Sequence, residues 1–134
     1  MNKQLRIAKD VEQKPISPLG EFEQIVLTAV VLLGEGAYGA KVHEKVEALA
    51  ERRIKVPAVY VTLDRMEDKD YVTSKLTDPK SEPDHRSRRY FSLTERGDLA
   101  LQQATATARR MVAALSEIDE PWSIKKWRKH RAKT

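Results

Sequence analysis

The chain has no cysteine. That excludes a disulfide framework, a thiol nucleophile and any zinc site built on thiolates. Its three histidines, His43, His85 and His130, lie far apart and share no ligand spacing, so neither a metal nor a cofactor is expected. Aromatic residues make up 6% of the chain, so a core must be mostly aliphatic. Five glycines are too few for a phosphate-cradling loop as well as the turns. The longest apolar run, residues 25–33, is too short to cross a bilayer. It also follows acidic residues well inside the chain, the wrong context for a secretory signal. A soluble cytoplasmic protein, with no membrane partner, is the expectation. Ser17 and Ser116 have capping or helical surroundings and no nearby histidine, and the acids scatter along helix faces. Nothing meets the geometric roles of a catalytic site, so no enzyme is expected.

A length of 134 residues suits one domain with a modest core. The net charge of +5 is unevenly placed: residues 125–134 hold six Lys/Arg and no acid. Without that +6, residues 1–124 come to about −1. The body is therefore not basic as a whole, and any nucleic-acid surface must be a local patch plus the tail. In the tail, "PWSIKKWRKHRAKT", two readings stand. It is a loose basic end, or Trp122 and Trp127 dock onto a dimer while the cations reach phosphates or an acidic partner. A short tail without a continuous apolar face does not suit a membrane surface.

Residues 1–18 are polar, contain Pro15 and Pro18, and read as a flexible N-terminal arm. Ser17 as N-cap and Pro18 at the first helical position predict the start of a helix. Phe22, Ile25, Val26, Ala29, Val30 and Leu33 form its apolar face. Leu27, Val31 and Leu32 make its other sides apolar too, which suggests a subunit contact. "GEGAY" is a turn, and a second helix is predicted over residues 37–53, with Val42, Val46 and Leu49 inward and His43 on the surface. Ile54 is a short strand or connector. A third helix opens at Pro57 and ends near Asp70, burying Val59, Leu63 and Met66. Residues 71–76 and 88–93 are predicted strands of a hairpin with a long tip. Thr94 caps a fourth helix. Leu101, Ala104, Ala108, Met111, Leu115 and Ile118 follow in 3-4-3-4-3 steps, a seam for another helix. About 25 residues at about 1.5 Å each make a rod of roughly 38 Å, longer than so small a domain is wide.

This order predicts a mainly α, α+β winged helix-turn-helix. A three-helix core and a two-stranded β wing fill residues 19–93. A long C-terminal dimerisation helix fills 94–119, and the basic tail 120–134. Four stretches sharpen the reading: "LGEFEQIVL" at 19–27, "AYGAKV" at 37–42, "AVYVTLDRMEDKDYV" at 58–72 and "RRYFSLTERGDLAL" at 88–101. In order and spacing they resemble the PadR family of bacterial transcriptional regulators. The resemblance implies a winged-helix repressor that dimerises through its last helix and is often released by a small molecule. Three departures stand out. Asp70 occupies a position usually held by glycine, the wing "DHRSRRY" lacks glycine, and Pro57 is unusual at its position.

The implied partners are double-stranded DNA, a second copy of the chain and a possible small-molecule inducer. With Val59, Leu63 and Met66 inward, Ala58, Val61, Thr62 and Arg65 are expected to face the major groove. Ala58, Val61 and the Thr62 methyl suit thymine methyls. Arg65 suits a guanine edge or a phosphate, and Tyr60 at the rim suits a phosphate. The acids Asp64, Glu67, Asp68 and Asp70 restrict close approach to the first two turns. On the wing, His85, Arg86, Arg88 and Arg89 are candidate phosphate contacts. Strand alternation puts Arg88 and Arg89 on opposite faces, so one at most reaches DNA well and the other pairs with an acid. The expected function is a homodimeric repressor on a near-palindromic operator. The rival is a winged-helix protein-interaction module that has lost DNA binding. A pure small-molecule sensor is a third reading, for which the small aliphatic seam offers no ligand residues.

Overall fold

Gly20 is extended and its amide donates to the Glu23 carboxylate at 2.9 Å, so the first helix starts here. The computed structural model describes residues 15–118 and residue 128. Within them α1 (Glu21–Leu33), α2 (Gly39–Ala50) and α3 (Val56–Asp68) precede β1 (Val72–Leu76), β2 (Arg89–Leu93) and α4 (Glu95–Ser116). Short 3-10 turns lie at Gly34–Gly36 and Pro79–Ser81. This is the order read from the sequence, a mainly helical α+β winged helix-turn-helix. Residues 1–14 of the arm and the tail with Pro121, Trp122 and Trp127 lie outside the described residues. Among the described residues no helix is long and apolar enough to cross a membrane.

Several expectations about the helices and their connections need correction. Ser17 and Pro18 do not start α1. The Ser17 amide donates to the Tyr71 hydroxyl at 3.1 Å instead, which lays this segment over the base of the wing. Leu27 is buried with Val26, Ala29 and Val30, because α2, α4 and β2 cover α1 on several sides. Val31 and Leu32 stay exposed. On α2, Val42 and Val46 are buried but Leu49 is 41% exposed, since it lies in the last turn before the chain leaves through the left-handed Glu51. Ile54 is a connector rather than a strand. Its amide donates to Glu47 at 2.9 Å, and its carbonyl lies 2.6 Å from His43 Nε2. His43 is thus half-buried and structural, not a free surface histidine.

Val26, Leu27, Val46, Val59, Leu63 and Phe91 are among the side chains sealed in the core. Each such burial contributes roughly 1.5–3 kcal/mol relative to exposure. The two strands pair antiparallel, from Val72 opposite Leu93 to Leu76 opposite Arg89. The wing is also tied to the turn before α2: the Phe91 amide donates to the Ala37 carbonyl at 2.8 Å, and Tyr38 bridges Tyr90. Thr94 caps α4 as expected, its hydroxyl accepting from the Gly97 amide at 3.0 Å.

Candidate nucleic-acid interface

Pro57 stands in the first turn of α3, where its missing N–H leaves no bond unmade. Val59, Leu63 and Met66 are buried, as their spacing predicts. Ala58, Val61 and Arg65 are exposed on the opposite side, with Tyr60 partly exposed between the faces. Thr62 does not join them: it is 4% exposed. Its position explains this. From Val59, steps of three, four and seven reach Thr62, Leu63 and Met66, so all four share one face. The Tyr60 ring leans over Gly39 at the start of α2, and its hydroxyl fills the space beside that glycine.

Helix α3 ends in a paired hydrogen-bond cap. The Asp70 amide donates to the Glu67 carbonyl at 3.0 Å and the Tyr71 amide to the Met66 carbonyl at 2.8 Å. This pattern requires a left-handed residue at position 70, and Asp70 has φ 68. The backbone there therefore adopts the left-handed conformation that glycine enters most readily. Buried Met66 and Tyr71 close the cap from inside. Lys69, the cap's neighbour, bonds Glu23 of α1 at 3.2 Å, which fixes α3 to α1.

The four wing residues separate into two groups. His85, with φ 58, and Arg86 lie exposed at the tip. Arg88 and Arg89 are both tied to acids. Arg88 lies 3.8 Å from Glu82 and 3.4 Å from Asp84, with its guanidinium 4.4 Å from the Tyr38 ring centroid. The Tyr90 phenol raises its pKa; desolvation opposes this, and Tyr38, Asp84 and Glu82 add to the rise. Arg89 reaches Asp64 at 2.9 Å and also bonds Glu67. Desolvation lowers its pKa, but the hydrogen bonds to these two acids and their negative charges together leave it raised. Both arginines are thus tied to acids, where strand alternation predicts such a pairing for one of them. Glu82, buried in the wing loop beside Thr77, Tyr90 and Arg88, has no signal in the sequence that marks it out.

One basic element escaped the sequence reading. Arg52, Arg53 and Lys55 are exposed in the turn that delivers the chain to α3, next to the positive end of that helix. Their clustering in "ERRIK" was a visible signal. Along α4, Gly97 and Ala100 are buried and Leu101 and Ala104 pack on the core. Further out, Met111, Val112 and Leu115 are 58%, 65% and 48% exposed. A groove of about 210 Å³ runs along this helix, between Leu19, Gln24, Ala104 and Met111.

Three helices, a hairpin braced against the third and a long fourth helix define a winged helix-turn-helix protein. The chain belongs to the Transcriptional regulator PadR-like family, whose model matches residues 29–103, more than half of its length. Among solved structures it is similar to a PadR family transcription regulator of Clostridium difficile R20291, with TM-score 0.59 and 21% identity over 75% of this chain and 100% of that one. A PadR family regulator of Eggerthella lenta DSM 2243 aligns with TM-score 0.56 and 20% identity over 72% of this chain and 82% of that one. Bordetella bronchiseptica BpsR, whose DNA binding is regulated by 6-hydroxynicotinic acid, aligns with TM-score 0.55 and 18% identity over 83% and 75%. Comparison with curated protein sequences finds no match.

Proposed function

We propose that this regulator is a sequence-specific DNA-binding repressor that acts as a homodimer on a near-palindromic operator in the cytoplasm. The carrying observation is the outer face of α3. Ala58, Val61 and Arg65 project from it, and the exposed cations Arg52, Arg53 and Lys55 sit at its N-terminal end. A helix fits the major groove with its N-terminal half against base edges. Ala58 and Val61 then meet thymine methyls and Arg65 a guanine edge. Arg52, Arg53, Lys55, His85 and Arg86 hold phosphates, with Tyr60 at the rim. Thr62 is withdrawn from this surface by its burial. Two copies joined along the outer half of α4 place two such helices about 34 Å apart, in successive major grooves. Repression is then steric. A small-molecule inducer acts by favouring a dimer whose helix spacing no longer matches the groove repeat; the regulation of BpsR by a small acid is in keeping with this.

Selection of bound sites from random duplex DNA tests the reading. The expected product is a two-fold motif with half-sites one helical turn apart, bound with an affinity that falls steeply with salt. Recovery of no motif, with a flat response to duplex at low salt, would transfer the fold to the protein-interaction reading.

A further inference from the structure

Four acids crowd the second half of the α3 region: Asp64, Glu67, Asp68 and Asp70. A helix entering a groove between two phosphate backbones is badly served by them. The structure deals with two of them through one side chain. Arg89 is the first residue of β2, opposite Leu76. Its Nη1 donates to Asp64 Oδ1 at 2.9 Å, its Nη2 to Glu67, and its Nε to Ser74 Oγ at 3.0 Å. The Ser74 hydroxyl in turn donates to the Glu67 carboxylate at 2.9 Å. The guanidinium carbon lies over the ring of buried Phe91, 4.7 Å from its centroid. The side chain is left 34% exposed.

All three nitrogens of the fork are therefore engaged, above the Phe91 ring. The partners come from α3 and β1, while Arg89 itself belongs to β2. A planar fork with fixed donor directions sets the relative orientation of the groups it joins, which a single point charge does not. Arg88 has no such link to α3: its ion pairs remain within the wing loop, with Glu82 and Asp84.

We propose that Arg89 is a positioning residue: it holds the wing at a fixed angle to α3 and screens Asp64 and Glu67 from the DNA, without binding a phosphate itself. The proposal rests on the DNA-binding reading for its effect on affinity, but its structural half is measurable without DNA. The test compares the intact chain with Arg89→Lys, which keeps the charge but loses the fork, and with Arg89→Ala. In free protein, amide exchange across residues 72–76 and 89–93 should quicken about tenfold in both variants, with α1 and α2 unchanged. Wing amides as protected as in the parent would overturn the proposal.

On the selected operator, both variants should bind about tenfold more weakly, with the parent's dependence on salt retained. If Arg89→Lys instead binds like the parent while Arg89→Ala loses about one unit of salt slope, Arg89 is a phosphate ligand and the proposal fails. If the parent chain selects no duplex at all, the DNA reading fails by itself, and the exchange data alone decide the positioning role.

Discussion

The Tyr60 hydroxyl occupies the space that a β-carbon on Gly39 would need. Helices α2 and α3 meet there because residue 39 has no side chain. A second glycine meets a less yielding neighbour. Around Gly97 the backbone carbonyl of Tyr71 stands in the place of a β-carbon, with Leu93 Cδ1 2.9 Å away. A backbone carbonyl cannot swing aside as a tyrosine ring can. That carbonyl also accepts from the Thr94 amide at 3.0 Å, a bond that any shift would disturb. Gly97→Ala should therefore cost about 1–3 kcal/mol, lowering Tm by roughly 5–10 °C. Gly39→Ala should cost about 1 kcal/mol or less, because the ring can rotate outward and alanine favours the helix. Thermal unfolding of the two variants checks the order; equal losses would remove the distinction between the two contacts.

Asp70 offers a test of backbone conformation free of packing, since its side chain is exposed and its φ is 68. Aspartate tolerates the left-handed region better than most residues, and a β-branched residue tolerates it poorly. Asp70→Val should cost about 1–2 kcal/mol. Asp70→Gly should hold or raise stability, by up to about 1 kcal/mol. Denaturant titrations should then rank glycine at or above aspartate, and valine last. A valine variant as stable as the parent would mean that the cap opens without cost.

These residues also show what the sequence could and could not reveal. Helical steps were legible because the core is aliphatic: Val59, Leu63 and Met66 are as buried as their spacing predicts. Thr62 follows its helical position rather than its polarity, and so lies on the buried face. Asp70 stood out only through the family resemblance, which implies a glycine at that position; its φ of 68 shows the demand on the backbone. The ties of the wing were not. The reach of Arg89 to Asp64 and Glu67, and of Arg88 to Tyr38, depends on where separate elements finally pack. Neither periodicity nor local charge encodes that. Alternation did place the two arginines on opposite faces, but it could not supply acids for both.

Arg65 is the one cation on the exposed face of α3 that makes no ion pair among the described residues. Reading a guanine edge is worth about 1–3 kcal/mol of discrimination. Arg65→Ala should reduce the preference for the selected operator over a scrambled duplex by that amount. Arg53→Ala, in the basic turn, should weaken both duplexes alike and lower the salt slope by about 1. Gel-shift titrations at several salt concentrations separate the two effects. Equal loss on matched and scrambled DNA would assign Arg65 to the backbone.

The outer half of α4 carries the last prediction. Met111, Val112 and Leu115 are exposed there beyond the part of the helix that covers the core. A second copy packed along this face would bury them all, with Ala108 small enough to allow close approach of the helices. Met111→Glu and Leu115→Glu should each produce a monomer by sedimentation analysis. Neither residue supports the domain core, so the folded domain should survive. Affinity for a two-half-site operator should fall roughly 100-fold as the linked second half is lost, while affinity for an isolated half-site should not change. Persistence of a dimer in both variants would move the interface to another exposed apolar pair, Val31 and Leu32 on α1, whose substitution by glutamate should then give the monomer instead.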